Sequence, residues 1–549
     1  MKSKASYFSI SVPLIKENFR RFWAIPVLSF LVYFFSFPFQ VIMSYGHLNE
    51  LSLFIGNALL NHQIPIMFAH GVFPAIAAVI VFRYLQSTSS ATVMHAMPFS
   101  RNKLFNSNGI SGLLLVLIPF LLNGLILLAL SKPVFGMYEG QNVFARTDIL
   151  VWMGESVVII CFVYAISVFA GIVTGNMMMH FAMAGLLNFV VPGLLMLFSV
   201  YFQQFVFGFR LSESFYSMCA DMTPYLKVME DGGSYSALSI LAYLAVTVIV
   251  LVISSLLYGK RKLERTGDSL VFAFMQPVIC YIIAFAGMSL MGFYFTSFSS
   301  NSNYSVSYLY LGFAAGALLF FMIGQMIVKK TPRIFNKKGL RDFGIFAVIA
   351  CLFLLCINID VLGYEKKIPP VETVASVSIP NSFPEGVSNL GVGGNDSGLV
   401  ELKDPKNIEA FIRFHQSVIE NRQQFFKSGN AYYDYKTAWV PLEYQLKNQK
   451  TVSRDYNGVS QTFVAESSDL KEIFTSKEYK EAVGIKSKGF GKILTMSLHT
   501  VGSLKWEEQE ARTIHTNDMA AFIDCIDADF KSQTYEEMRS MKRPYIGLE

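Results

Sequence analysis

The sequence predicts an all-α polytopic membrane protein of about nine transmembrane helices, followed by an α+β extracytoplasmic domain. Three observations carry this prediction. Of 549 residues, 53% are hydrophobic and only 15% charged, whereas soluble domains carry about 25% charged residues. Apolar runs recur at the length of roughly 20 residues that a helix needs to cross a hydrocarbon core about 30 Å thick. After residue 363 the composition turns polar and long apolar runs cease.

The chain opens with Met1–Arg21, which mixes Phe8, Ile10, Val12, Leu14, Ile15 and Phe19 with Lys16, Glu17, Arg20 and Arg21. This pattern fits a helix lying at a membrane surface ahead of the first span. The segment lacks an early apolar core followed by an A-x-A site, so the first span is expected to be retained. Candidate spans follow at about Phe22–Met43, Ile64–Leu85, Ile110–Leu130, Ile149–Val173, Phe181–Val206 and Ala237–Tyr258. Three more lie at about Leu270–Phe295, Tyr308–Val328 and Phe343–Leu362. Pro26, Pro38, Pro74, Pro119, Pro192 and Pro277 are expected to kink helices.

The basic residues set the orientation. Lys16, Arg20 and Arg21 precede span 1, and Arg83, Arg101 and Lys103 follow span 2. Lys260, Arg261, Lys262 and Arg265 follow span 6, and a further cluster from Lys329 to Arg341 separates spans 8 and 9. Nine alternating spans from a cytoplasmic N-terminus put all of these on one side. The loops Ser44–Gln63 and Thr296–Ser307 on the other side hold no Lys or Arg. The expectation is a plasma-membrane protein with a cytoplasmic N-terminus and a C-terminal domain outside. A net charge of +6 spread between apolar runs does not describe a nucleic-acid surface.

Residues 364–549 read as a mixed domain. Ala375, Val377 and Ile379 alternate with serines as in a strand. Asp404-Pro405 forms a helix start, with Ile408, Phe411, Ile412, His415 and Ile419 on one face. Leu442–Tyr456 alternates on both sides of Lys447–Lys450, which predicts a hairpin. Met519, Phe522, Ile523, Ile526 and Phe530 form a further apolar stripe.

The sequence carries none of the common catalytic or metal-binding motifs. The eight histidines show no HExxH or related ligand spacing, and there is no G-x-S-x-G elbow. Gly484–Ile493, GIKSKGFGKI, lacks the hydroxyl residue that a phosphate-binding loop places after its Gly-Lys. The six cysteines form no CxxC, and four of them lie in apolar runs. His415 on an apolar face reads as a hydrogen-bonded core histidine. Glu155, inside span 4, is the one acidic group singled out there as a possible part of a translocation pathway.

The stretch that organises the chain is Gln86–Phe105, a polar and basic segment between two apolar runs. Its core, Met97-Pro98-Phe99-Ser100-Arg101-Asn102-Lys103-Leu104-Phe105, resembles the (L/M)-P-x-S-R-x-x-L-F segment after the second span of ABC-2-type transporter permeases. There the segment is the coupling helix that docks on a separate ATPase. Tyr258–Asp268 is similar to the Y-x-x-R-K-x-E-x-x-G-(D/E) segment that closes the six-span unit of such permeases. Leu442–Tyr456 is similar to a hairpin of extended bacterial forms that carry an outer domain, with Gln449 where those have the turn glycine.

The resemblance implies an interfacial segment at 1–21, a six-span permease unit at 22–268 and three additional spans at 269–363. The outer domain then occupies 364–549. It implies an exporter that is not itself an enzyme and holds no cofactor, with ATP and Mg²⁺ on a cytoplasmic ATPase subunit, and a second permease copy or paralogue beside it. Met97, Pro98, Phe99, Ser100, Arg101, Lys103, Leu104 and Phe105 would contact the ATPase. Two alternatives are a peptide-antibiotic sensing and detoxifying ABC permease, and a non-transporting sensor or scaffold with a ligand-binding outer domain.

Overall fold

A computed structural model describes residues 9–48, 52–60, 63–135, 142–229, 235–297, 305–332, 336–361, 363–380, 399–426, 437–483, 496–499, 512–514, 519–536 and 545–548. The chain divides into two compact units. One comprises Met1–Phe198, Glu213–Leu290 and Ala315–Val348, and the other Ser199–Ser212, Met291–Ala314 and Ile349–Glu549.

The helices run in order as α1 (Val12–Arg21), α2 (Ala24–Ser36), α3 (Pro38–Met43), α4 (Ser52–Leu60), α5 (Ile64–Val81), α6 (Thr88–Ala96) and α7 (Arg101–Leu130). A two-stranded ribbon of β1 (Val134–Phe135) and β2 (Asn142–Val143) precedes α8 (Arg146–Val173) and α9 (Met177–Phe205). Then come α10 (Glu213–Ala220), α11 (Pro224–Met229), α12 (Ala237–Lys260), α13 (Met275–Thr296), α14 (Ser305–Lys329) and α15 (Lys337–Asn358).

Among the described residues, eight helices are long and apolar enough to cross a membrane: Ser52–Val81, α7, α8, α9, α12, α13, α14 and α15. The pair α1 and α2, bent by 65° at Phe22–Trp23, makes a ninth if counted as one span. The expected first span, Phe22–Met43, is divided between α2 and α3 at Phe37. Pro38 explains the division, since it has no N–H to continue α2 and steers the preceding residue out of helical geometry. Pro74, Pro119 and Pro192 instead lie inside unbroken helices.

The core of the first unit is built around α8, whose buried residues extend from Ile149 to Val173 and which packs on α5, α7 and α12. Two polar clusters inside this unit are bonded across helices. Asn18 of α1 donates to Asn108 Oδ1 at 2.9 Å and to Ser111 Oγ at 2.7 Å on α7. Tyr33 of α2 meets His70 Nδ1 at 2.9 Å, with Phe120 edge-on to both rings.

In the second unit, β3 (Val374–Pro380), β4 (Leu399–Leu402), β5 (Thr437–Leu446) and β6 (Thr451–Ser460) form an antiparallel sheet ordered β4-β3-β5-β6. Helix α16 (Pro405–Glu420) contributes Ile408, Phe411, Phe414 and Val418 to a core shared with Val377, Leu442 and Tyr456. Asp404 caps α16 through the Lys406 N–H at 3.0 Å. Short helices follow as α17 (Arg422–Phe425), α18 (Gln461–Glu466), α19 (Ser468–Thr475) and α20 (Lys477–Val483). Finally β7 (Met496–His499), β8 (Arg512–Ile514) and β9 (Tyr545–Leu548) pair antiparallel in the order β8-β7-β9, with α21 (Met519–Ser532) between β8 and β9 in sequence.

The hairpin forms as expected, and Gln449 occupies its turn with φ +65°, the conformation a glycine adopts most easily. The strand expected from Ala375, Val377 and Ile379 forms with one change of face. Val374 is buried and Ala375 exposed, because the register with β5 shifts between Val374 and Ser376. Such a bulge inverts the alternation on one side of it. In α21, Phe530 is buried, whereas the side chains of the rest of that stripe, like all of Gly484–Ile493, lie outside the described residues.

Candidate functional site: a segment clasped to three helix ends

A helix leaves its last four carbonyls without internal partners. In the first unit, α8 and α12 both end near the turn at Arg83–Gln86 that follows α5, and one arginine just beyond α12 serves both the end of α8 and that turn. Arg261, one residue beyond α12, is 2% exposed. Its Nη1 donates to the carbonyls of Gly171 (2.9 Å) and Ile172 (2.7 Å) in the last turn of α8. Its Nη2 donates to the carbonyl of Leu85 at 2.7 Å. Burial pushes its pKa down to about 10, so it stays cationic at neutral pH, facing the negative end of a helix dipole.

The segment that carries α6 is fastened to the same place. Gln86 donates to the Gly171 carbonyl at 3.1 Å. The hydroxyls of Tyr84 and Tyr258 lie 3.0 Å apart, and Tyr258 reaches His95 Nε2 at 3.1 Å. Since His95 Nδ1 faces the Ala91 carbonyl at 2.8 Å, that nitrogen bears the proton and Nε2 accepts from Tyr258. Burial lowers the pKa of His95, and the Arg101 and Arg261 cations add to this against the Ala91 bond. The imidazole is therefore neutral at pH 7.

After α6, Met97–Ser100 is a non-helical break, and Ser100 caps α7 by accepting from the Lys103 N–H at 3.3 Å. Arg101, the first residue of α7, turns to the end of α12. Its Nη1 donates to Gly259 at 2.8 Å and Arg261 at 3.2 Å. Arg101 thus serves carbonyls of its own chain. The Lys103 ammonium stands 5.5 Å from the centre of the Phe99 ring.

The other residues of the motif divide by exposure. Leu104 and Phe105 are 1% and 6% exposed, and Phe105 packs on Phe82 and Tyr258. They fill the core and are not open to a partner. Pro98 and Ser100 are exposed, Met97 and Phe99 half-buried. The outward surface is completed by Thr88, Ser89, Ser90, Thr92, Val93 and Ala96 of α6. None of these is charged.

The two motifs singled out in the sequence, Gln86–Phe105 and Tyr258–Asp268, therefore meet in space. The second continues as a tight loop against the end of α8. Gly267 N–H donates to the Gly175 carbonyl at 2.8 Å and Val271 N–H to Val173 at 2.9 Å. Gly175 has to be glycine here, because a Cβ would collide with the Asp268 carbonyl. Sequence reasoning missed Tyr84 and did not separate Arg261 from its basic neighbours. The one available signal was position, since Arg261 is the first residue beyond a helix end.

Glu155 is placed elsewhere in the same unit. It is 5% exposed, and its Oε1 accepts from the Tyr235 N–H at 3.1 Å, just before α12. The Tyr235 hydroxyl donates to the Pro224 carbonyl, and Tyr243 donates to Asp221 at 3.0 Å. Glu155 thus ties α8 to the start of α12.

The described residues contain no group of three or more His, Cys, Asp or Glu arranged to hold a metal ion. No family model, curated protein or solved structure matches the chain.

Proposed function

We propose that this chain is the membrane-spanning permease subunit of an ATP-driven exporter, with α6 as the element on which a separate cytoplasmic ATPase acts. One observation supports this reading above the others. An exposed, uncharged helix is bonded through His95 to Tyr258 near the end of α12, and the residues on either side of it, Gln86 and Arg101, bond to the ends of α8 and α12. A partner that displaces α6 moves Tyr84, His95 and Arg101, and through them the ends of α5, α8 and α12. A plain connecting loop needs no such ties.

In this reading the basic clusters face the cytoplasm and the α+β domain lies outside. ATP and Mg²⁺ are held by the partner, and two permease copies or paralogues work together. The chain supplies the conduit and the lever, and no catalytic group of its own.

The test is purification of the full chain with its native companions, followed by nucleotide hydrolysis assays. A nucleotide-hydrolysing subunit is expected to co-purify. Val93→Arg, at an exposed position of α6, is expected to lower stimulated turnover at least tenfold while expression and thermal midpoint hold. Full stimulation in Val93→Arg, or a preparation that never contains such a subunit, overturns the proposal.

A further inference from the structure

A groove of about 360 Å³ opens between the end of α14 and the start of α15. Leu318, Phe321 and Met322 of α14 and Leu340 and Phe343 of α15 give it apolar walls, with Phe321 and Phe343 edge-on at 5.1 Å. Leu340 is 74% exposed. Both helices are long and apolar enough to cross a membrane.

The polar end of the groove differs in kind from its walls. Gln325 lines it and is 5% exposed, and its Oε1 has no hydrogen-bond partner among the described residues. One turn further along α14, the Lys329 ammonium is buried and likewise has no hydrogen-bond partner among the described residues. Lys337 lines the groove at the first turn of α15, and Asn336 at its rim uses Oδ1 to cap the Gly339 N–H at 2.7 Å. Of the neighbouring charges, Arg341 pairs with Asp342 at 3.2 Å and Lys330 donates to the Gly267 carbonyl. Among the described residues, Lys329 and Lys337 form no ion pair.

A buried ammonium without a counter-charge is costly. The first turn of a helix favours negative charge, and apolar walls that continue along two spans suit an acyl chain. We propose that this groove binds one anionic phospholipid, its phosphate between Lys329 and Lys337, a head-group hydroxyl donating to Gln325 Oε1 and one acyl chain along Leu318 and Phe343. The occupant is a lipid of the bilayer, not a free phosphate, because five apolar side chains would otherwise face an empty groove. Basic pockets between spanning helices recognise anionic head groups in this way.

The experiment is native mass spectrometry of the full chain in detergent, titrated with phosphatidylglycerol and separately with phosphatidylcholine. At least fivefold tighter retention of phosphatidylglycerol is expected. The double variant Lys329→Gln/Lys337→Gln is expected to lose that preference, whereas Lys16→Gln on α1 keeps it. Leu318→Trp, which fills the groove, is expected to reduce retention of the tight-binding lipid at least fivefold without removing a charge. Glycerol phosphate at a hundredfold excess is expected not to displace the lipid. Equal retention of the two lipids overturns the proposal, as does a preference that survives both the double variant and Leu318→Trp. Displacement by glycerol phosphate also overturns it, by showing a phosphate site without a lipid. So does a groove closed by a second copy, seen as a dimer that Leu318→Trp dissociates and lipid does not affect.

Discussion

At the scale of single residues, most of the information lies in buried polar groups satisfied by neutral partners. His415 is the clearest case. Both ring nitrogens lie 2.6 Å from a tyrosine hydroxyl, Tyr444 at Nδ1 and Tyr456 at Nε2, and the residue is fully buried. Burial, aided by the Arg454 cation, drops its pKa from an ordinary 6.5 to about 3. The folded state therefore holds this imidazole neutral while the unfolded chain protonates it below pH 6.5. Stability from this residue is intact above that value and is lost as pH falls from 6.5 toward 3, at up to about 1.4 kcal/mol per pH unit. Denaturant midpoints of the full chain between pH 7 and pH 4 should show this slope, and Tyr456→Phe should cost about 1–3 kcal/mol at pH 7 by orphaning Nε2. The sequence showed His415 as a core histidine because the apolar face of α16 is local. It did not show the tyrosine pair, because those residues come from two strands whose register is fixed by the hairpin.

At the scale of elements, the boundaries are set by capping and by proline. The α6 segment was legible as a polar interruption with a proline and a serine, and Ser100 does cap α7. The length of α7 was not legible. Hydropathy marks a start at Ile110, yet the helix runs from Arg101, because polar residues continue a helix as readily as apolar ones. That extension turns Arg101–Phe105 from loop into the first helical turn, and so sends Leu104 and Phe105 inward. The clasp itself is a long-range feature with no local signature. Replacing Arg261 by Met would leave the carbonyls of Leu85 and Ile172 without their side-chain donor and that of Gly171 with Gln86 alone. A loss of about 2–4 kcal/mol is expected, read as a lowered thermal midpoint of the detergent-solubilised chain. Faster hydrogen exchange in residues 83–100 is expected to accompany it. Arg265, whose guanidinium donates to the Val271 carbonyl at 2.9 Å, offers the comparison. If Arg261→Met and Arg265→Met behave alike, the clasp has no special weight.

At the scale of the molecule, the second unit shows how the α+β domain is attached to the end of a long apolar helix. Beyond the end of α9, Phe207 is 2% exposed and joins the core of the α+β domain, its ring centre 4.7 Å from that of Tyr456 with the planes tilted by 59°. Its N–H donates to Glu365 at 2.9 Å, and Glu365 also pairs with Arg422 at 2.7 Å. Gly208 follows with φ +73°, and a Cβ there would collide with the Tyr456 ring. Phe209 bridges to Arg454, whose guanidinium lies 3.6 Å from the centre of the Tyr364 ring. Gly208→Ala is therefore expected to cost about 2 kcal/mol or more and to open residues 206–212 to limited proteolysis, with the remainder of the chain resistant. Composition announced the domain, since polarity changes abruptly near residue 363. The docking of residues 206–210 was hidden, because three aromatic and glycine letters after a span look like any membrane-border loop. The outward face of α6 has one more consequence. Lacking ionised groups, it offers little for salt to screen, so a complex formed there would survive a high ionic strength wash that strips electrostatically held companions, and would come apart instead in detergents that compete for Val93 and Pro98.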